Sequence, residues 1–315
     1  MSEERAKVLY VVGLGRSGST ILSNSLGQIG GFFSAGELNF IWRHNVIENR
    51  LCGCGRPFRE CPVWTRVMEE AFGGMDGVDA REMMGLQALG TRTRHIPRML
   101  TDRRDRILKE RLEKLLINYG RLYAGIGGVT GSQVIVDSSK EPAHGYAMSL
   151  IPDLDFRVVH LIRDPRAAAY SWLKEKPQPD SEEKEFMHRK SPAESAVLWD
   201  SWNASAEALW RRTPEKYFRL RYEDFVANPR ESLKRILGLA GVAAELPLTG
   251  EREVRLGVSH TVSGNPNRFE TGSVELRPDR EWKDKMSPRD TALVAVLTTP
   301  LLQRYGYPTI PKAAS

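Results

Sequence analysis

The stretch Val8-Leu9-Tyr10-Val11-Val12-Gly13-Leu14-Gly15-Arg16-Ser17-Gly18-Ser19-Thr20-Ile21-Leu22 reads as a buried strand, a glycine-rich turn carrying one arginine, and the first turn of a helix. Such a turn aims backbone N–H groups at a negatively charged ligand. The spacing is close to that of the phosphate-binding loop G-x-x-x-x-G-K-[ST], with Gly13 and Gly18 as its glycines. The lysine of that motif is missing. Ser19 stands in its place, and the basic residue, Arg16, lies inside the loop. A nucleoside triphosphatase would lack the side chain that reaches its β and γ phosphates. The loop is therefore expected to bind an anion without transferring a phosphoryl group from ATP.

Three more strand–loop–helix units follow the same pattern. One is a strand over 134–137, then Ser138-Ser139-Lys140, then a helical stretch to residue 150. The next is a strand over 156–162, then Arg163-Asp164-Pro165, then a helix to about 174. The last is a strand over 217–222, then Asn228-Pro229 and a helix to about 239. Short β-rich apolar runs that alternate with helical patterns predict an α/β fold. It has three layers of the P-loop type, a central parallel sheet flanked by helices. Ligands of such sheets sit at the carboxyl ends of the strands. Arg16, Ser139, Lys140 and Arg163 all fall just past those ends.

A long insert spans about 30–131, and its arginine-rich middle, 91–114, fits a helix with a solvated charged face. Acidic residues interleave from Asp102 onward, so nucleic acid is not the expected partner. Residues 176–192, with three prolines and many charges, read as a mobile surface loop. With no repeat or linker in sight, the expectation is a single domain over 1–315 with decorations. The chain of 315 residues is 41% hydrophobic and carries a net charge of +6, which suits an anionic ligand or acceptor. Nothing approaches the ~18 apolar residues of a membrane span, and residues 8–14 are too short for a signal peptide. The cytoplasm is the expected location.

In Leu161-Ile162-Arg163-Asp164-Pro165-Arg166-Ala167-Ala168-Ala169-Tyr170-Ser171, Arg163 closes the strand and Pro165 sits where a helix begins. Ser171 lies two turns along that helix. An arginine fork and a hydroxyl converging there can hold a phosphate; the plain alternative is an Arg163–Asp164 pair.

Together these motifs resemble the sulfotransferases that use 3′-phosphoadenosine-5′-phosphosulfate (PAPS), in particular the bacterial and carbohydrate-type members. Gly15-Arg16-Ser17-Gly18-Ser19-Thr20 is similar to their loop for the 5′-phosphosulfate, and Arg163 with Ser171 to their pair for the 3′-phosphate. Leu220-Arg221-Tyr222-Glu223-Asp224-Phe225 resembles their strand–helix segment after the core. Gly264-Asn265-Pro266-Asn267-Arg268-Phe269 resembles the segment, about 250–290 here, that folds over the nucleotide. The resemblance implies in-line attack of an acceptor hydroxyl or amine on sulfur, with adenosine 3′,5′-bisphosphate leaving and no metal required. Glu37 resembles the base of the carbohydrate-type enzymes, and Lys140 and Ser139 would contact the sulfuryl or bridging oxygen. A histidine base is doubtful, because none occurs between Asp137 and His144.

Cys52, Cys54 and Cys61 could in principle bind zinc together with His44, but the C-x-C spacing is atypical and no second pair follows. A structural loop beside the acceptor cleft, with one redox-sensitive disulfide, is the expectation. His95, His160, His188 and His260 read as structural or solvated. Two other function classes stay open: a phosphoryl-transfer enzyme of the P-loop class, and a non-catalytic nucleotide-binding protein. The acceptor is left open among a carbohydrate, a glycosylated or lipid-linked metabolite and a phenol. The oligomeric state is not legible.

Overall fold

The computed structural model describes residues 6–100, 104–180 and 185–309. The first apolar run forms β1 (Lys7–Val12). Its side chains alternate between two faces, as a strand demands. Val8, Tyr10 and Val12 enter one core with Ile135, Phe156 and Val158. Leu9 and Val11 enter a second core with Val134, Val136, Val159 and Leu161. Both faces are dry, which is why these strands read as continuous apolar runs.

β2 (Phe32–Gly36), β3 (Val134–Lys140) and β4 (Asp155–Ile162) join β1. The hairpin strands β5 (Pro177–Gln178) and β6 (Glu185–Phe186) stand apart, and β7 (Tyr217–Arg221) completes the sheet. Its order is β2-β3-β1-β4-β7, parallel throughout. β1 is therefore central, and chain connections leave it in both directions. This is the switch point at which open α/β sheets bind ligands.

Two elements differ from the sequence reading. β3 does not stop at Asp137 but runs to Lys140. Its register against β1 slips by one residue, Tyr10 facing Asp137 and Val12 facing Lys140. Such a bulge re-aims a side chain. Here Lys140 takes φ 67, a left-handed conformation uncommon outside glycine. Secondly, the stretch read as an insert supplies the edge strand β2. The rest of it packs helices Pro62–Phe72 and Arg104–Thr130 onto the first core, around Trp42, Trp64, Tyr119 and Tyr123.

Residues 176–192 are more than a surface loop. They contain the β5–β6 hairpin, and Asp180 is buried. Residues 181–184 of that stretch lie outside the described residues. Beyond it, Ser191 and Glu194 form a capping box that starts helix Pro192–Trp210.

In the tail, β8 (Glu253–Leu256) pairs antiparallel with β9 (Gly272–Glu275). Between them the chain lies along β2: Glu37 N–H donates to Val262 O, and Val262 N–H to Ala35 O, both at 2.9 Å. No described helix is long and apolar enough to cross a membrane.

Candidate active site

A cleft of about 670 Å³ opens at the carboxyl ends of β1, β3 and β4, roofed by the tail. Its floor is the glycine turn. Gly13 has φ 147, and a Cβ there would lie 2.2 Å from Leu161 O. Gly18 has φ 88, and a Cβ there would strike the Tyr222 ring at 2.3 Å. The Gly13 N–H donates to Lys140 O at 3.1 Å, tying the turn to β3. Helix Ser19–Leu26 begins at once, so its first N–H groups face the cleft. Gly15, Arg16, Gly18, Ser19 and Thr20 line the space, whereas the Ser17 hydroxyl is buried, without a partner among the described residues.

Arg16, itself at φ 71, lays its guanidinium over the Trp172 ring at 4.8 Å. Its Nε and Nη1 are buried and have no hydrogen-bond acceptor among the described residues. Burial lowers its pKa, and the Glu37 carboxylate opposes that shift. Arg163 is 6% exposed. Its Nη1 donates to Arg16 O and its Nη2 to Asp279 Oδ2, each at 2.9 Å, while Nε has no partner among the described residues. The Tyr222 ring covers its other face at 4.9 Å. The Arg163–Asp164 pair is not formed. Asp164 instead caps helix Pro165–Leu173 and binds Arg166 through both carboxylate oxygens, at 2.9 and 2.7 Å. That leaves Arg163 to the cleft, which Ser171 also lines.

Across the cleft, Glu37 and Lys140 form an ion pair, with side chains 11% and 12% exposed. Gly264 seals this corner. A Cβ there would come within 2.8 Å of Glu37 Oε1. Gly264 and Asn265 line the cleft with Glu37, Lys140 and Tyr222.

Ser139 and Arg268 are placed elsewhere. Ser139 turns into the core, where its Oγ donates to Asp137 and accepts from Asn39 N–H at 2.9 Å. Burial pushes the Asp137 carboxyl up to about 6, and hydrogen bonds from Ser139 and Tyr123 restrain that rise. Successive side chains of a strand point to opposite faces, which parts Ser139 from Lys140 at the end of β3. Arg268 is 2% exposed and points away from the cleft. It donates to Thr261 O at 2.8 Å, Leu51 O at 2.7 Å and Asp180 Oδ2 at 2.9 Å. It therefore braces the tail against residues 51 and 180. His144 is fully buried beside Tyr10 and Tyr119, with both ring nitrogens unpartnered among the described residues. Burial depresses its pKa to about 3, and it does not line the cleft.

The structure adds residues that sequence reading passed over. Lys176 lines the cleft, its pKa lowered by burial and then by Arg16, Lys174 and Arg163. Phe40 and His44 stack there with ring centroids 4.9 Å apart. Asp279 occupies Arg163. Trp172, next to Ser171, was within reach of helical spacing; Lys176 and Asp279 carried no local signal.

A model of the sulfotransferase family matches residues 9–245. The chain belongs to the sulfotransferase family. The chain is 26% identical over 182 residues to human carbohydrate sulfotransferase 3, a match over 52% of the chain and 36% of that protein. It thus spans about a third of the length of that relative. The sulfotransferase domain from the Synechococcus PCC 7002 olefin synthase shares its fold. The TM-score is 0.55 at 16% identity, covering 99% of this chain and 98% of that one. The sulfotransferase domain from the curacin biosynthetic pathway does so too. There the TM-score is 0.53 at 16% identity, with coverage of 97% and 99%.

Proposed function

We propose that the chain transfers a sulfuryl group from PAPS to an acceptor hydroxyl and releases adenosine 3′,5′-bisphosphate. The observation that carries this reading is the pair of arginines beside one cleft: Arg16 Nε and Nη1 and Arg163 Nε are buried there without partners among the described residues. Unsatisfied buried donors are costly and call for an acceptor. The glycine turn and Arg16 would hold the 5′-phosphosulfate. Arg163 and Ser171 would hold the 3′-phosphate, since a guanidinium binds phosphate through two N–H groups. Gly264 and Asn265 would close over the nucleotide.

In the reaction, Glu37 takes the acceptor proton as the acceptor oxygen bonds to sulfur. The bond from sulfur to the 5′-phosphate oxygen breaks, and its electron pair stays on the phosphate. Lys140 holds the Glu37 carboxylate in place through their ion pair. With Arg16 and the turn N–H groups it also meets the charge that grows on the leaving oxygen, the role of a preorganised electrostatic site. The stacked Phe40 and His44 offer a flat surface for a sugar or phenol ring. Carbohydrate, glycosylated or lipid-linked metabolites and phenols are therefore the acceptor classes to test.

The test is incubation with labelled PAPS and an acceptor panel, read by mass spectrometry for an added sulfuryl group. Transfer without added divalent metal is the expected result. Tight bisphosphate binding with no transfer to any acceptor would make the chain a nucleotide-binding protein. Transfer from ATP with magnesium would make it a phosphoryl-transfer enzyme.

A further inference from the structure

Away from the cleft, the insert and the tail meet at a cluster of soft metal-binding atoms. The Sγ atoms of Cys52, Cys54 and Cys61 and a ring nitrogen of His260 all lie within 4.8 Å of one another. The Cys54 and Cys61 sulfurs are 3.8 Å apart. His260 Nδ1 is 3.2 Å from Cys61 Sγ and 3.9 Å from Cys52 Sγ. A tetrahedral zinc ion with Zn–S of about 2.3 Å and Zn–N of about 2.0 Å sets ligand edges of about 3.8 Å between sulfurs and about 3.5 Å between sulfur and nitrogen. The observed separations bracket those edges. All three cysteines are free thiols, and Cys52 and Cys61 are fully buried.

The surrounding backbone is built as a knuckle. Cys52 N–H donates to Arg56 O and Gly55 N–H to Cys52 O, both at 2.8 Å. Gly55 sits at φ 80, where a side chain would be strained. On the tail side, the Trp64 indole N–H donates to His260 O at 2.7 Å, and Gly53 N–H to Thr261 O at 2.9 Å. Both loops are thus held face to face independently of the sulfurs. His44, the fourth ligand considered from sequence, is not part of this cluster. Its Nδ1 lies 3.2 Å from Ser263 Oγ, and it lines the cleft.

We propose that Cys52, Cys54, Cys61 and His260 form a structural zinc site that clamps the tail to the insert. Four protein ligands leave no open position, the mark of a structural rather than a catalytic ion. Binding exchanges the thiol protons for the metal. The clamp acts on the cleft through a short path. Val262 pairs along β2, and Gly264 and Asn265 follow it into the cleft wall beside Glu37. The ion therefore fixes the tail that would cover the nucleotide, without touching the reaction.

The experiment uses the full chain, produced in zinc-supplemented medium and purified without chelator. Elemental analysis should find about one zinc per chain after gel filtration, the stoichiometry of a closed four-ligand site. Cys54→Ser and His260→Ala should lose most of it, while His44→Ala should keep it. A ligand variant that fails to fold leaves the unmodified chain to decide the matter. Its zinc should be released by a mercurial reagent, and cobalt(II) in its place should give the strong visible bands and thiolate charge-transfer absorption of a tetrahedral site. A folded, zinc-free chain whose thiols all react freely, or which holds a disulfide among these cysteines, overturns the proposal. So does zinc that survives in Cys54→Ser and His260→Ala alike. None of these readouts depends on sulfuryl transfer, so the metal assignment and the proposed activity fail separately.

Discussion

Asp279→Asn isolates the assignment of Arg163 to a phosphate. Asp279 occupies Arg163 Nη2 at 2.9 Å, on the same guanidinium that would receive the 3′-phosphate. Burial alone would raise the Asp279 pKa, but the charge and hydrogen bond of Arg163 hold it below the usual carboxylate range. The group is therefore ionised at neutral pH and repels an incoming phosphate. Two acceptors on neighbouring arms of one guanidinium lie about 5 Å apart. Each unit of phosphate charge then costs about 0.8 kcal/mol at the dielectric of water and about 3.3 kcal/mol at an effective value of 20. The Asp279 side chain is 35% exposed, which favours the weaker end. Asparagine keeps the shape and removes the charge. Adenosine 3′,5′-bisphosphate should bind tighter by about 1–2 kcal/mol, roughly 5–30-fold. AMP, with no 3′-phosphate, should bind almost as before. Calorimetry of both ligands at two salt concentrations measures this, and the gain should shrink with salt. If Asp279→Asn weakens the bisphosphate, or shifts both ligands equally, Asp279 is a fold clamp and the 3′-phosphate does not sit on Arg163.

Glu37→Gln should lower turnover by about 10²–10⁴-fold, the usual contribution of a general base, with bisphosphate affinity preserved; near-normal turnover removes Glu37 from the chemistry. Arg268→Ala leaves Asp180 buried and uncompensated, so stability should drop by about 3–5 kcal/mol and the thermal midpoint with it. Loss of bisphosphate affinity alone, at an unchanged midpoint, would return Arg268 to the nucleotide. His144 is neutral in the fold and protonatable when unfolded, so its contribution is intact above about pH 6.5 and is lost as pH falls toward about 3. His144→Leu should flatten acid unfolding in that window at unchanged turnover, and an unaltered acid limb would contradict its buried, neutral state.

The sheet was legible because its signals are local. A strand buried on both faces writes itself as an unbroken apolar run, and each such run here is followed by its turn and helix. β2 was harder to see. Only five residues long, it follows the first helix so closely that it reads as the start of an insert. The extension of β3 was hidden for another reason. Asp137-Ser138-Ser139-Lys140 looks like a turn, since serine and aspartate favour turns. Yet Asp137 and Ser139 satisfy each other and Asn39 inside the core, so the strand continues through them.

The site divides along the same line. Residues fixed by their own turn or helix, such as Arg16, Gly18, Arg163 and Ser171, can be placed from spacing. Residues whose role depends on a partner far along the chain cannot. Arg268 illustrates the failure: a tail arginine in a polar, glycine-containing segment looks free to reach a phosphate. In the fold its charge is already claimed by Asp180, 88 residues away. His260 shows the converse. It looks isolated in sequence, and gains its three sulfur neighbours only because the tail returns to β2 and lies across the insert. The end of β3 is the most economical case. Strand alternation turns Ser139 inward and Lys140 outward, so of two adjacent residues that seemed equivalent, only the lysine meets Glu37.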